Sequence, residues 1–176
     1  YSPEAQEQDI EAVVETLGLR KVILVGLSMG GRNAFTYASK HPDRVKALVI
    51  VDAAPETQRS GSKNIHQFVQ QNDELDSVAD FVDRIQKYNP RRPVDQIWGS
   101  IQHNMKQLPN GKWTWKYDRL LRSSNRRWQS DPDLTERLWG YVESLKTPTL
   151  VVRGAKSDIV ASQIADDMHR RIPNSA

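Results

Sequence analysis

The stretch VILVGLSMGGRNAF, residues 22–35, sets a lone serine, Ser28, among glycines where an apolar run gives way to a helical pattern. A serine at a sharp strand-to-helix turn takes a strained backbone conformation, and the turn bares its Oγ at the carboxyl end of the strand. Chain segments must pass close on either side, so small residues are expected two positions before and after it, at Gly26 and Gly30. The helix that follows begins with N–H groups that have no partner in the helix, and that of Met29 is placed to donate to an oxyanion. Such a serine attacks an acyl carbon once a base removes its proton. Two aspartates follow other apolar runs. Asp52 comes directly after VKALVIV, and Asp158 ends Gly154-Ala155-Lys156-Ser157-Asp158 just past PTLVV. Ligands of open parallel sheets bind beyond the carboxyl ends of the strands, which is where both stand.

The elements that must hold these residues are legible from periodicity. Ser2-Pro3-Glu4 reads as an N-cap, a proline in the first turn and an acid beside it, and Ile10, Val13, Val14 and Leu17 continue at helical spacing up to Gly18. KVILVG is a near-continuous apolar strand, the pattern of a parallel strand buried on both faces. Residues 29–40 form the next helix, VKALVIVD the second strand, PTLVVRG the third and residues 162–172 a last helix. The alternation predicts an α/β fold with a parallel three-strand sheet flanked by helices. Residues 64–71, 75–88, 93–107 and 131–144 are expected to be helical, with a turn at Pro109-Asn110-Gly111 and an alternating WTWKYD beside it.

At 176 residues the chain is the size of one ordinary domain, and with 38% hydrophobic and 27% charged residues it has globular composition. It contains no cysteine, hence neither a disulfide nor thiolate chemistry, and no apolar run long enough for a membrane span. The first residues lack the basic and apolar regions of a secretory leader, and the expected compartment is the cytoplasm. No metal-ligand spacing or phosphate-binding glycine loop stands out, so no metal and no cofactor is expected.

Gly26-Leu27-Ser28-Met29-Gly30-Gly31 resembles the nucleophile elbow of the α/β-hydrolases. HPDRVKALVIVDAAP, residues 41–55, resembles the part that carries that family's sixth strand, and KTPTLVVRGAKSDIV, residues 146–160, its seventh strand and acid turn. The resemblance implies hydrolase core over residues 1–55 and 146–176, with a mostly helical cap or lid, 56–145, inserted between the second and third strands. It implies Ser28 as nucleophile, Asp158 as triad acid and Asp52 as the alternative acid. Gly26, Gly30 and Gly31 shape the elbow.

The chain order Ser, acid, His leaves one histidine after Asp158, namely His169, on a helix. The family's base lies beyond that helix, after an eighth strand that would begin near Ile172–Ala176. His41, His66 and His103 fall in a helix-ending turn and in the cap. The expectation is therefore a fragment without its catalytic histidine, first strands or last strand, inactive alone and completed by the rest of the polypeptide or by another chain.

A serine at the elbow argues against the dehalogenase and epoxide-hydrolase branches, which carry aspartate there. The expected function is serine-dependent hydrolysis of small carboxylic esters or lactones. Carbon–carbon bond hydrolases and cofactor-free haloperoxidases share the triad, and a non-catalytic relative that binds a ligand or a partner is the competing class. Arg84, Lys87, Arg91, Arg92, Lys106, Lys112, Lys116, Arg119, Arg122, Arg126 and Arg127 face only Asp95 and Asp118 in that stretch. That charge could steer an anionic substrate, with tryptophans Trp113, Trp115 and Trp128 interleaved, but no nucleic-acid partner is expected.

Overall fold

The computed structural model describes residues 1–122 and 132–176. In chain order its elements are α1 (Pro3–Thr16), β1 (Val22–Leu27), α2 (Met29–Lys40), β2 (Val45–Val51), α3 (Arg59–Val69), α4 (Val78–Tyr88), α5 (Val94–Asn104), β3 (Met105–Gln107), β4 (Trp113–Trp115), α6 (Leu134–Glu143), β5 (Thr149–Val152) and α7 (Ser162–Arg171). Two compact units result, Tyr1–Lys63 with Arg127–Ala176, and Asn64–Arg126.

The first unit is a parallel sheet in the order β1-β2-β5. Leu24 pairs with Leu48 and Leu48 with Thr149; Leu27 pairs with Val51 and Val51 with Val152. All three strands therefore end in line. Side chains alternate across the pleat, so Leu48, Ile50 and Thr149 turn to one face and are buried there with Phe35, Tyr37, Leu138, Val142 and Met168. Helix α2 packs on β1 and β2, with α1 and α6 against it.

The opposite face is open. Ile23, Val25 and Leu27 are 60%, 70% and 65% exposed, and Leu150 and Val152 are exposed beside them. The apolar run that predicts two covered faces is thus covered on one face by the described residues. The other edge of β5 is engaged by the last residues: Thr149 N–H donates to Asn174 O at 2.9 Å and Ala176 N–H to Thr149 O at 3.0 Å, around a parallel bridge between Thr149 and Ser175.

Helix α1 starts as its sequence predicts, with the Ser2 hydroxyl accepting from Ala5 N–H. Its polar side is buried against α2. Glu7 accepts from Lys40 Nζ at 3.2 Å and meets His41 Nε2 at 2.5 Å, while Glu11 holds Arg44 at 3.1 Å and accepts from the Tyr37 hydroxyl.

The second unit packs α4, α5 and the β3–β4 hairpin around Phe81, Val82, Ile97, Ile101 and Met105. A capping box of Ser77 and Asp80 starts α4. Residues 105–107, expected to extend a helix, are instead strand β3, paired antiparallel with β4 across the Pro109-Asn110-Gly111 turn. The reason is that Met105 and Trp115 share the small core, which an antiparallel pair satisfies and a longer helix would not. Helix α3 begins earlier than predicted, at Arg59, and α6 belongs to the first unit's core through Leu138 and Val142.

Two of the basic residues are partnered by acids just outside the basic stretch. Arg119 meets Glu74 at 2.6 Å and Asp73 at 3.7 Å, and Lys112 meets Asp76 at 3.5 Å. Arg126, Arg127 and Trp128 lie outside the described residues.

Candidate active site

Only two non-glycine residues among those described have positive φ, Ser28 at 53° and Asp52 at 48°. Each is the first residue past the end of its strand, and the two strands are neighbours. Ser28 N–H donates to Val51 O at 2.9 Å, and Asp52 N–H donates to Val152 O at 2.8 Å. The ladder therefore runs one step beyond the sheet and carries both strained residues with it.

At the elbow, Ser28 has ψ −118° and sits at the N-cap of α2, yet its hydroxyl caps no backbone group of that helix. Its carbonyl accepts instead, from Gly31 and Arg32 N–H at 3.0 and 3.2 Å. Ser28 is exposed, as is Met29 beside it. Met29 and Gly30 lead α2, and a helix offers their N–H groups no internal acceptor.

Sterics account for two of the three glycines. A Cβ on Gly26 would stand 2.3 Å from Gly30 O, and one on Gly31 would stand 2.6 Å from Ala53 Cβ. Around Gly30 nothing lies within 4 Å of that position, which corrects the expectation for this residue. The close approach two residues after Ser28 is made by the Gly30 backbone against Gly26, so the position that must stay bare is Gly26, together with Gly31 against the segment after β2. Arg32 closes the same corner, its Nε donating to Ala54 O at 2.9 Å, and burial lowers the guanidinium pKa.

Asp52 has a buried carboxylate oxygen, Oδ1, with no hydrogen-bond partner among the described residues. The family resemblance ranks it second to Asp158, and its backbone strain has no sequence signal, since aspartate occupies ordinary as well as left-handed backbone. Asp158 is exposed in the turn that follows β5. Here Ser157 N–H donates to Gly154 O at 2.9 Å, and the Ser157 hydroxyl accepts from Ile159 and Val160 N–H, both at 3.1 Å. Arg153, not singled out from sequence, spans this turn through backbone carbonyls. Its signal was an arginine directly after a strand and before Gly154.

Neither histidine of the first unit joins these residues. His41 ends α2, at the end opposite Ser28, and is committed to Glu7. His169 lies in the last turn of α7 and pairs with the Ser175 hydroxyl at 2.9 Å. His66 and His103 are exposed on α3 and α5. Among the described residues no group of three or more metal-binding side chains occurs, and no helix is long and apolar enough to cross a membrane.

The chain is similar in sequence and fold to known proteins. Residues 1–176 match the family model for the alpha/beta hydrolase fold. Esterase Rv0045c of Mycobacterium tuberculosis is 29% identical over 177 residues, covering 97% of this chain and 56% of the esterase. Its crystal structure matches with TM-score 0.76 over 99% of this chain and 57% of that one. The 2-(acetamidomethylene)succinate hydrolase of Mesorhizobium japonicum is 26% identical over 166 residues, 92% of this chain and 56% of its own length. A crystal structure of E-2-(acetamidomethylene)succinate hydrolase, 22% identical, shares the fold with TM-score 0.84 over 100% of this chain and 65% of that one. The chain thus spans little more than half the length of these two curated relatives. A match that runs from Tyr1 to Ala176, on a parallel sheet whose first strand turns sharply into a helix at Ser28, places this chain in the alpha/beta hydrolase fold family.

Proposed function

We propose that this chain carries the nucleophile and acid of a serine hydrolase acting on small carboxylic esters or lactones. The observation that carries the reading is the positive φ of an exposed Ser28 between β1 and α2. Strain of this kind costs about 1–3 kcal/mol and persists where the surroundings impose it. In the reaction Ser28 Oγ bonds to the acyl carbon as its proton passes to an imidazole. The oxyanion is held by Met29 N–H and a second donor, and the alcohol leaves with the proton. Water then cleaves the acyl-serine by the same route. Asp158 orients the imidazole. It lies beyond the strand two places from β1, and two strand spacings, roughly 9–10 Å, leave room for a ring hydrogen-bonded at both nitrogens.

The imidazole, the second oxyanion donor and the cover for the open sheet face are assigned to the rest of the polypeptide or to another chain. Of the expected cap, the second unit, Asn64–Arg126, is assigned that role while α6 stays with the core, and the absence of cysteine fits a cytoplasmic setting. The test is fluorophosphonate labelling of the complete polypeptide beside Ser28→Ala. Covalent label on the parent and none on the variant supports the reading; a folded parent that takes no label favours a ligand-binding relative without catalysis.

A second reading of the acid has its own support. Asp52 shares the unusual backbone of Ser28 one strand away and keeps a buried oxygen without a hydrogen-bond partner among the described residues. If Asp52→Asn lowers kcat far more than Asp158→Asn, the acid role belongs to Asp52.

A further inference from the structure

The acid turn holds a cation that forms no ion pair among the described residues and meets only carbonyl oxygens. Arg153 Nε donates to Val160 O at 2.7 Å, Nη2 to Ser157 O at 3.4 Å and Nη1 to Ala155 O at 3.5 Å. These three acceptors bracket Asp158 in sequence. Asp158 itself is flanked by pinned peptides: the Ser157 carbonyl accepts from Arg153, and Ile159 N–H donates to the Ser157 hydroxyl. From the far side, Gln58 N–H donates to Ile159 O at 2.9 Å. A Cβ at Gly61 would stand 2.3 Å from Asp158 O, so α3 lies hard against the turn where Asp158 sits. Val160, which receives the shortest Arg153 bond, is 1% exposed and anchors the end of the turn in the core.

We propose that Arg153 is a positioning residue for the reaction, setting the direction in which Asp158 presents its carboxylate. The inference rests on the reading of Asp158 as the acid. A planar guanidinium has donors spread along a fork and can hold several carbonyls of one turn at once. A lysine ammonium is a single point that can satisfy one or two of them. The chemistry needs that fixed direction because an acid that is close but misaligned loses most of its effect on the imidazole.

The experiment uses the complete polypeptide and follows p-nitrophenyl ester hydrolysis, normalised to sites titrated by fluorophosphonate, for Arg153→Lys, Arg153→Gln and Asp158→Asn. The expected result for Arg153→Lys is a fall in kcat of roughly 10- to 100-fold per titrated site with KM little changed. A carboxylate that no longer faces the imidazole stabilises its protonated form less. The acidic limb of kcat/KM should therefore move to lower pH, by about half a unit or more. Arg153→Gln, which keeps one amide donor and the length to reach the turn, should move the limb in the same direction. Activity that falls only with the number of titrated sites, with the limb in place in both variants, overturns the inference and leaves Arg153 a packing residue. Wild-type rates in Asp158→Asn would remove Asp158 as the acid, and the role of Arg153 with it. A strong loss in Asp158→Asn with unshifted limbs in the arginine variants would remove the arginine's role alone.

Discussion

The turns after β1 and β5 present the nucleophile and the acid of the proposed triad from the carboxyl end of one sheet, but different forces hold them. The elbow after β1 is shaped by close approach of the chain: no Cβ fits on Gly26 against the Gly30 carbonyl or on Gly31 against Ala53 Cβ, and the Ser28 amide extends the ladder to Val51. The acid turn after β5 is shaped by side chains, with the Ser157 hydroxyl and the Arg153 guanidinium bonded to its peptides. Close backbone approach leaves no room for any side chain in place of glycine, whereas losing a hydroxyl or a guanidinium removes some of a turn's bonds and leaves the others. The first turn should therefore fail abruptly when altered and the second by degrees.

The largest effects test whether both turns serve one reaction. Ser28→Ala should abolish fluorophosphonate labelling and lower kcat by roughly 10^6-fold, the scale at which a serine nucleophile is lost. Asp158→Asn should cost about 10^4-fold while leaving the label in place at a slower rate. Equal rates in the parent and Asp158→Asn would detach the second turn from the chemistry and leave the comparison without a functional basis.

The glycines probe the elbow directly. Gly26→Ala places a methyl group 2.3 Å from a carbonyl oxygen, so the strand or the helix must shift. Overpacking of this kind costs about 1–3 kcal/mol, and a serine displaced by about 1 Å loses on the order of 10^2-fold in rate. Gly30→Ala meets open space on a helix and should stabilise by about 0.4–1 kcal/mol. Thermal melts and ester kinetics on the pair decide the matter, and equal costs at both positions would refute the steric account. Ser157→Ala belongs to the gentler turn. It removes the acceptor of two amides and should cost about 1–2 kcal/mol with a much smaller loss of rate than Gly26→Ala.

This difference also explains what could be read from the chain. The three strands and α2 follow from apolar runs and helical spacing, and the elbow from a glycine pattern that backbone contact enforces. Gly30 misled because spacing counts residues without showing which one faces a neighbour. The strain at Asp52 was invisible because aspartate is common in ordinary backbone as well. The role of Arg153 depends on a turn whose bonds are made by side chains to carbonyls, and carbonyls carry no sequence signature. In sequence β3 reads as helix because MKQ follows a true helix without a break, and its pairing with WTW is a tertiary choice. The basic stretch looked unopposed because Asp73, Glu74 and Asp76 pair with it from a distance in sequence.

The smallest expected effect contrasts the two ends of α2. Its first residues are set by the glycine contacts, but its last residues are held by charge: Glu7 lies between Lys40 and His41, and Glu11 between Arg44 and Tyr37, with Lys40 also over the Tyr141 ring at 5.6 Å. Burial alone would raise the Glu7 pKa, but hydrogen bonds and charge from His41 and Lys40 outweigh it and hold the carboxyl below its ordinary 4.5. A carboxyl whose folded pKa is depressed stabilises the fold above its unfolded value and loses that contribution as pH falls through the folded one. Thermal stability should therefore decline below about pH 4.5 partly through Glu7, and Glu7→Gln should flatten that part of the profile while lowering stability at neutral pH. At the basic end, burial and the hydrogen bond to Glu11 push the Tyr37 hydroxyl up to about 12, so its contribution is complete below pH 10 and is lost as pH rises through 12. The glycine contacts of the elbow involve no titrating group. Melting curves across pH on Glu7→Gln and Gly26→Ala separate the two: the glycine variant should shift the whole curve with no change of slope below pH 4.5, and a change of slope there would mean that the elbow too depends on charge.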